Sequence, residues 1–348
     1  MKTYQLILAT ALVALSACNK EEVVTSDVNL ESNEIGFVAV NRKATKANDA
    51  IITGTTYEHD NTFQVWGWQS EGGAFAEFAD AAASNFMSNL TISWTGGRDS
   101  RTEAWRNADN YYYWPFTGKI SFLAVHPSTV APTTTGWDAT NLKPQATIAD
   151  YTITPATNET TDLMFATNEG SRRADALPLV FKHALSQIEV QVKTDDDYSA
   201  DVAFDVESVV FHNIDLSGDV AYANDAIAWT DNAAQSETWE YYTTVLEDIT
   251  DSYQVYGAAK VNIPQAASIA DDPATTNVIE GTYITVGYSM EQTGSAKITG
   301  TVNISKPQLW EAGKRYVYTL NFKLNEILFD PSVTNWVDVN VDTINILD

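Results

Sequence analysis

The chain has few of the residues that usually carry chemistry. One cysteine occurs in 348 residues, so no intramolecular disulfide can form and each domain must hold through its core. The four histidines, His59, His126, His183 and His212, are spread too widely for ligand spacing, and no metal or cofactor is expected. Basic residues are scarce: 20 Lys and Arg stand against 46 Asp and Glu, a net charge of −26. So acidic a surface does not bind nucleic acid through phosphates, and it is repelled by anionic membrane surfaces. After the first residues no apolar run approaches the ~18 residues of a membrane-spanning helix. What remains is ample for packing, with 44% hydrophobic residues and a length that suits two domains of ordinary size.

The N-terminus is the exception to this polar character. Lys2 precedes an apolar run of ten residues, Leu6 to Leu15. That is too short to cross about 30 Å of hydrocarbon, and it suits the h-region of a signal peptide. Leu15-Ser16-Ala17-Cys18 follows and resembles the lipobox of bacterial lipoproteins. The resemblance implies cleavage before Cys18, acylation of its thiol and new amino group, and durable membrane anchoring by several acyl chains. Residues 1–17 are then the signal and 18–33 a polar, acidic tether. Loss of Lys2 with the signal takes the net charge from −26 to −27. In lipoprotein sorting Asn19, which is not Asp, leans toward the outer membrane. Lys20-Glu21-Glu22 resembles the short surface-export signal of Bacteroidales lipoproteins, and a charged tether accounts for it too.

Beyond the tether the chain reads as all-β. Glu34 to Val40 is a β-prone first strand. A loop follows, Asn41 to Asp49, with Arg42, Lys43 and Lys46, and such an exposed loop is a preferred nicking site. Strands are expected at Thr62–Trp68, Leu90–Trp94, Lys119–Val125, Leu179–Val192, Val202–Val206, Val209–Ile214, Thr243–Leu246, Val255–Ile263, Tyr283–Met290, Ala296–Ile304 and Arg315–Leu324. Short strands with Gly-, Asn-, Asp- and Thr-rich turns indicate sandwiches or barrels. One helix is expected within Phe75–Met87, best at Asp80–Ser84, and residues 127–161 read as a long irregular connection. The boundary falls near 168–178, giving domains at 34–172 and 173–348. Near the end Val337, Val339 and Val341 alternate with Asp338, Asn340 and Asp342, and Ile344 and Ile346 continue the pattern. An ordinary last strand fits the segment 335–347 as well as a strand free to move.

Several ordered blocks resemble the fimbrillin family of Bacteroidales, the pilins and accessory subunits of type V pili. They are Tyr113-Trp114-Pro115 leading into Ile120 to Pro127; Asp162-Leu163-Met164; Phe181-Lys182-His183-Ala184-Leu185-Ser186-Gln187-Ile188; Val261-Asn262-Ile263-Pro264-Gln265; Trp310 to Tyr318; and Val333-Thr334-Asn335-Trp336. The resemblance implies two transthyretin-like, immunoglobulin-like β-sandwich domains in tandem. It also implies assembly with other fimbrial subunits. An arginine-specific protease would cut after Arg42, with Lys43 and Lys46 as alternatives, and remove lipid, tether and first strand. A C-terminal strand of another subunit, here Val337, Val339, Val341, Ile344 and Ile346, would fill the groove by strand addition. That contact is head-to-tail and grows a filament. Anchors and some accessory subunits keep their N-terminus.

Patterns suggestive of catalysis do not hold up. Glu21-Glu22, Asp195 to Asp197 and Asp271-Asp272 sit in polar turns, where nothing apolar would raise a carboxyl pKa for acid–base work. Gly294-Ser295-Ala296 and Gly170-Ser171-Arg172 do not make a nucleophile elbow. His183, in an apolar strand, reads as a satisfied core or interface histidine. Trp105 and Tyr111 to Trp114 look like an exposed aromatic cluster, and with ten Trp and sixteen Tyr in the chain they support a second reading. On that reading the protein is a non-polymerising surface lipoprotein whose Trp105 and Trp114 hold a host or bacterial glycan; core and edge packing would explain the same residues. No enzyme activity is expected.

Overall fold

The computed structural model describes residues 33–41, 57–72, 74–75, 78, 83–95, 103–154, 161–198, 201–231, 237–265, 269–270, 280–305, 309–323 and 327–335. The first half contributes β1 (Phe37–Asn41), β2 (Phe63–Ser70), β3 (Met87–Thr95), β4 (Ala104–Arg106), β5 (Lys119–His126), β6 (Thr134–Asp138), β7 (Lys143–Thr152), β8 (Met164–Gly170) and β9 (Leu177–His183). The second contributes β10 (Ser186–Thr194), β11 (Val202–Ile214), β12 (Ser217–Ala223), β13 (Ala226–Asp231), β14 (Glu237–Tyr242), β15 (Gln254–Val255), β16 (Lys260–Asn262), β17 (Ile269–Ala270), β18 (Glu280–Gly281), β19 (Tyr283–Gln292), β20 (Ile298–Ser305), β21 (Lys314–Phe322) and β22 (Ile327–Asn335). The all-β expectation holds.

Seven strands close into a barrel in the order β1-β4-β3-β2-β5-β8-β9. Strands β2 and β5 and the start of β8 are buried on both faces, and each face has its own reason. Phe63, Val65, Ile120, Phe122, Ala124 and Met164 fill the barrel. Trp66, Trp68, Leu123, Val125 and Phe165 point the other way, into a second core. A sheet of order β13-β12-β7-β6 covers that outer face. Across the layer Trp68 meets Trp137 at 6.0 Å, and Phe165 stacks on Tyr222 at 5.1 Å. Double-sided burial of this kind turns an alternating strand into a continuous apolar run.

The covering sheet joins the two halves of the chain. Residues 127–161 are not simply an irregular connection: β6 and β7 lie within them, and β7 pairs with β12 from Ser217↔Thr152 to Tyr222↔Ala146. Within β7, Pro144, Ala146 and Ile148 are buried in alternation. The Thr-, Pro- and Ala-rich composition hid a strand whose partner lies about 70 residues away. At the tip of the β12–β13 hairpin, Asn224 and Asp225 have φ of 51° and 60°, the two-residue turn that matches strand twist. The Asp225 carboxylate accepts the Thr167 hydroxyl of β8 and pairs with Lys143 of β7. Its backbone carbonyl accepts Lys182 Nζ of β9 at 2.6 Å.

Of the remaining strands, β17 and β18 pair with each other, and the others form a sandwich. One sheet runs β15-β10-β21-β22 with β16 also on β10, and the other runs β14-β11-β19-β20. Phe211 sits at its centre, 5.4–6.1 Å from Trp239, Tyr241, Trp310 and Tyr318. This core is continuous with the outer face of the barrel.

Other expectations shift. The boundary at 172/173 would give β9 to the second domain, yet β9 pairs with β1 and β8 in the barrel. The crossing lies at Ala184-Leu185, which splits Leu179–Val192 into β9 and β10. Thr243–Leu246 is not a strand; Leu246 alone bridges Val206, and the strand is β14 just before it. Of the expected helix, Phe75 forms a single tight turn and Met87 opens β3, while residues 80–82 lie outside the described residues. Among the described residues no helix is long and apolar enough to cross a membrane.

Candidate functional site

The candidate site is the seat of β1. This strand is short and comes first in the described chain, and it closes the barrel. It lies parallel to β9 from Phe37↔Leu177 to Asn41↔Phe181, and antiparallel to β4 at Phe37↔Trp105. Just before it, Ile35 N donates to Tyr112 O at 2.7 Å and Trp114 N to Asn33 O at 2.8 Å. On the other side Leu177 N donates to Gly36 O at 2.8 Å. Neighbouring strands therefore hold the segment 33–41 by its main chain on both edges.

Alternation places Ile35, Phe37 and Ala39 inside, at 3%, 1% and 7% exposure, while Val38 and Val40 are half-buried. Phe37 meets Phe122 and Phe63 edge-on, with centroids 5.2 and 6.3 Å away. Glu34 is buried as well. Its Oε1 accepts Arg106 Nη1 at 2.7 Å, and both side chains are under a tenth exposed.

Trp105 and Trp114, for which an exposed cluster and core packing were both open, are buried at 2% and 4%. The barrel is the reason. Trp105 points inward from β4 onto Tyr57, 4.9 Å away, and Trp114 packs edge-on against Phe122 at 5.8 Å. Neither forms an open platform for a sugar. A Cβ on Gly170 would lie 2.6 Å from the Trp114 ring, so β8 needs glycine there. Sequence reading missed Glu34 and Arg106 as a pair, because 72 residues separate them. Cys18, Arg42, Lys43, Lys46, Val337, Val339, Val341, Ile344 and Ile346 all lie outside the described residues. Arg42 directly follows Asn41, the last residue of β1.

Behind β1 lies a buried polar row. Tyr57 Oη is 2.5 Å from His126 Nδ1, and His183 Nδ1 is 2.5 Å from Asp162 Oδ2. His183 is thus a partnered core histidine. Burial pushes His126 down to about 4, against the opposing pull of the Asp162 charge and the Thr62 carbonyl. Burial raises the Tyr57 hydroxyl, which keeps its proton beside the neutral imidazole.

A pH dependence follows. The unfolded histidine takes its proton near pH 6.5, and the folded one only near 4. Between these values the unfolded chain binds more protons, so stability falls as pH drops from 6.5 toward 4. The expected contribution is about 3 kcal/mol at the lower end. Urea unfolding across this range should show a flatter acid limb for His126→Gln than for the parent.

Comparison with known proteins accords with this architecture. The description "Fimbrillin-like" belongs to the family model that matches residues 44–336. A fimbrial protein from Bacteroides vulgatus aligns with a TM-score of 0.60 at 18% identity, covering 88% of this chain and 100% of its own. A protein from Bacteroides uniformis, described as a candidate cell adhesion protein, aligns at 0.51 and 16%, covering 88% and 100%. A similarly described protein from Bacteroides ovatus aligns at 0.50 and 14%, covering 88% and 99%. At such identities the likeness speaks for the fold alone. A search of curated proteins gave no match. With the family model spanning most of its length, every strand from β2 to β22, the chain belongs to the fimbrillin-like family.

Proposed function

We propose that this protein is a structural or accessory subunit of a cell-surface fimbria, exported as an outer-membrane lipoprotein and assembled by protease-triggered strand exchange. Family membership supports a fimbrial, adhesive role at the cell surface. The observation that carries the finer reading is β1 itself: a nine-residue hold, 33–41, with three inward side chains, ending one residue before Arg42. The lipid on Cys18 would bring the precursor to the membrane. Cleavage after Arg42 would release lipid, tether and β1 together. The vacated seat would expose an apolar floor and two unpaired strand edges, β4 and β9, which a strand from residues 335–347 of another subunit would cover.

The mature N-terminus tests the first step. Mass spectrometry should find a start at Lys43 in assembled material. An acylated Cys18 in every molecule would instead mark an anchor or a non-pilin surface protein. Deleting residues 335–348 tests the second step, since polymers that persist after trypsin treatment would end the donor-strand reading. Burial of Trp105 and Trp114 takes those two rings out of a glycan-binding, non-polymerising reading, while Tyr111 and Tyr113 of the same cluster stay exposed.

A further inference from the structure

The Glu34–Arg106 pair has a consequence for which strands the seat will accept. Arg106 lies on β4, in the barrel wall, and stays with the body if the chain is cut after Arg42. Glu34 leaves with β1. Arg106 is 3% exposed, and its Nη1 then loses the carboxylate it contacts at 2.7 Å. Losing a carboxylate contact destabilises a buried guanidinium, whereas a contact that is replaced keeps its stabilisation. The rest of the seat is apolar: Ile35, Phe37 and Ala39 are held among Phe63, Phe122 and Leu177. Apolar floors accept many strands, and one buried charge narrows the set.

We propose that Arg106 is a specificity determinant of the β1 seat, and that the strand replacing β1 must bring a carboxylate to it. The occupant is the C-terminal segment of a second copy of this chain. This rests on the strand-exchange reading. Charge complementarity and spacing support the choice. In β1 the carboxylate at Glu34 precedes inward residues one, three and five positions on, at Ile35, Phe37 and Ala39. Asp338 is followed at the same spacings by Val339, Val341 and Thr343. In the reverse direction Asp342 is preceded by Val341, Val339 and Val337. The segment thus offers an acid beside two valines and a threonine in one orientation and beside three valines in the other, and the direction of insertion decides which aspartate is used.

The test uses full-length protein cleaved by trypsin, with labelled synthetic peptides as probes. One peptide is residues 335–348, and a second carries Asp338→Asn and Asp342→Asn. Residues 33–41, with and without Glu34→Gln, serve as the native occupant. The parent C-terminal peptide should be captured about tenfold to a hundredfold more tightly than its double-Asn form. Glu34→Gln should weaken the β1 peptide similarly, and single Asn peptides should assign the direction. On the Arg106→Met protein both penalties should vanish. Should that variant fail to fold, the peptide comparison on the parent protein still decides. Equal capture of the parent and double-Asn peptides overturns the role of Arg106 but leaves strand exchange standing. Failure to capture the parent C-terminal peptide, while the β1 peptide binds, overturns both.

Discussion

Phe37→Ala is expected to lower the unfolding free energy of the uncleaved precursor by about 3–5 kcal/mol, the range for removing a buried phenylalanine from a close-packed core. Phe37 is 1% exposed and meets two further rings, Phe63 and Phe122, edge-on. The loss should concentrate at the seam between β4 and β9. Hydrogen exchange should rise first in β1 and β9, ahead of β2 and β5, which are covered on both faces. If β1 is a removable strand, the same substitution has a second signature. It should speed trypsin cleavage after Arg42 in the precursor, yet leave the stability of cleaved protein unchanged, because Phe37 has gone with the released piece. Urea unfolding of both forms, before and after trypsin, separates these outcomes. Equal destabilisation of the two forms would mean that β1 remains bound after cleavage and that the seat is not vacated.

How much of this was legible beforehand varies along the chain for physical reasons. Strands buried on one or both faces announced themselves: β2, β5, β11, β19 and β21 lie within a few residues of their expected places. Strands whose formation depends on a distant partner did not. β7 and β12 pair across about 70 residues, and neither has a run of β-branched residues to declare it. β22 went unread for a different cause. Pro331 sits within it, opposite Tyr318, and proline argues against a central strand. Its place at the end of the β15-β10-β21-β22 sheet removes the conflict, since an edge strand can spare a donor.

The composition sharpens near residue 172, and composition follows burial, not connectivity. Leu177 to Phe181 are apolar because they line the barrel, so they belong to what precedes them. The candidate site shows the same split. A first strand before a basic loop was visible as a local pattern. Trp105 and Trp114 were also visible, but as an aromatic cluster whose exposure no local pattern decides. Closure of the barrel turns both inward. The Glu34–Arg106 pair is a relation between distant residues, and the acid-rich composition gave no reason to single out one glutamate among 46 acidic residues.

The other large effect lies on the far side of β9 from β1. Asp162 is fully buried, and its Oδ2 is 2.5 Å from Nδ1 of His183, itself 4% exposed. Position makes this contact matter. β8 and β9 share only two registered pairs, Met164↔His183 and Phe165↔Lys182, so their ladder is anchored at one end. Asp162 stands two residues before β8, and His183 is the last residue of β9. Their contact, with Ala184 N donating to Leu163 O at 2.7 Å, pins that end. Asp162→Ala would remove the carboxylate and leave a cavity beside a buried imidazole, at a cost of about 3–5 kcal/mol. Asp162→Asn preserves shape and one acceptor, so it should cost less. The charge of Asp162 also raises His126, which lies next along the row, so removing it should lower the His126 pKa further. Urea unfolding at neutral pH gives the size of the loss, and histidine ring signals followed by NMR against pH give the direction of the shift. A His126 that titrates higher after Asp162→Asn would mean that solvent has reached the row. In that case the pair serves to exclude water from the barrel seam as much as to hold β8 against β9.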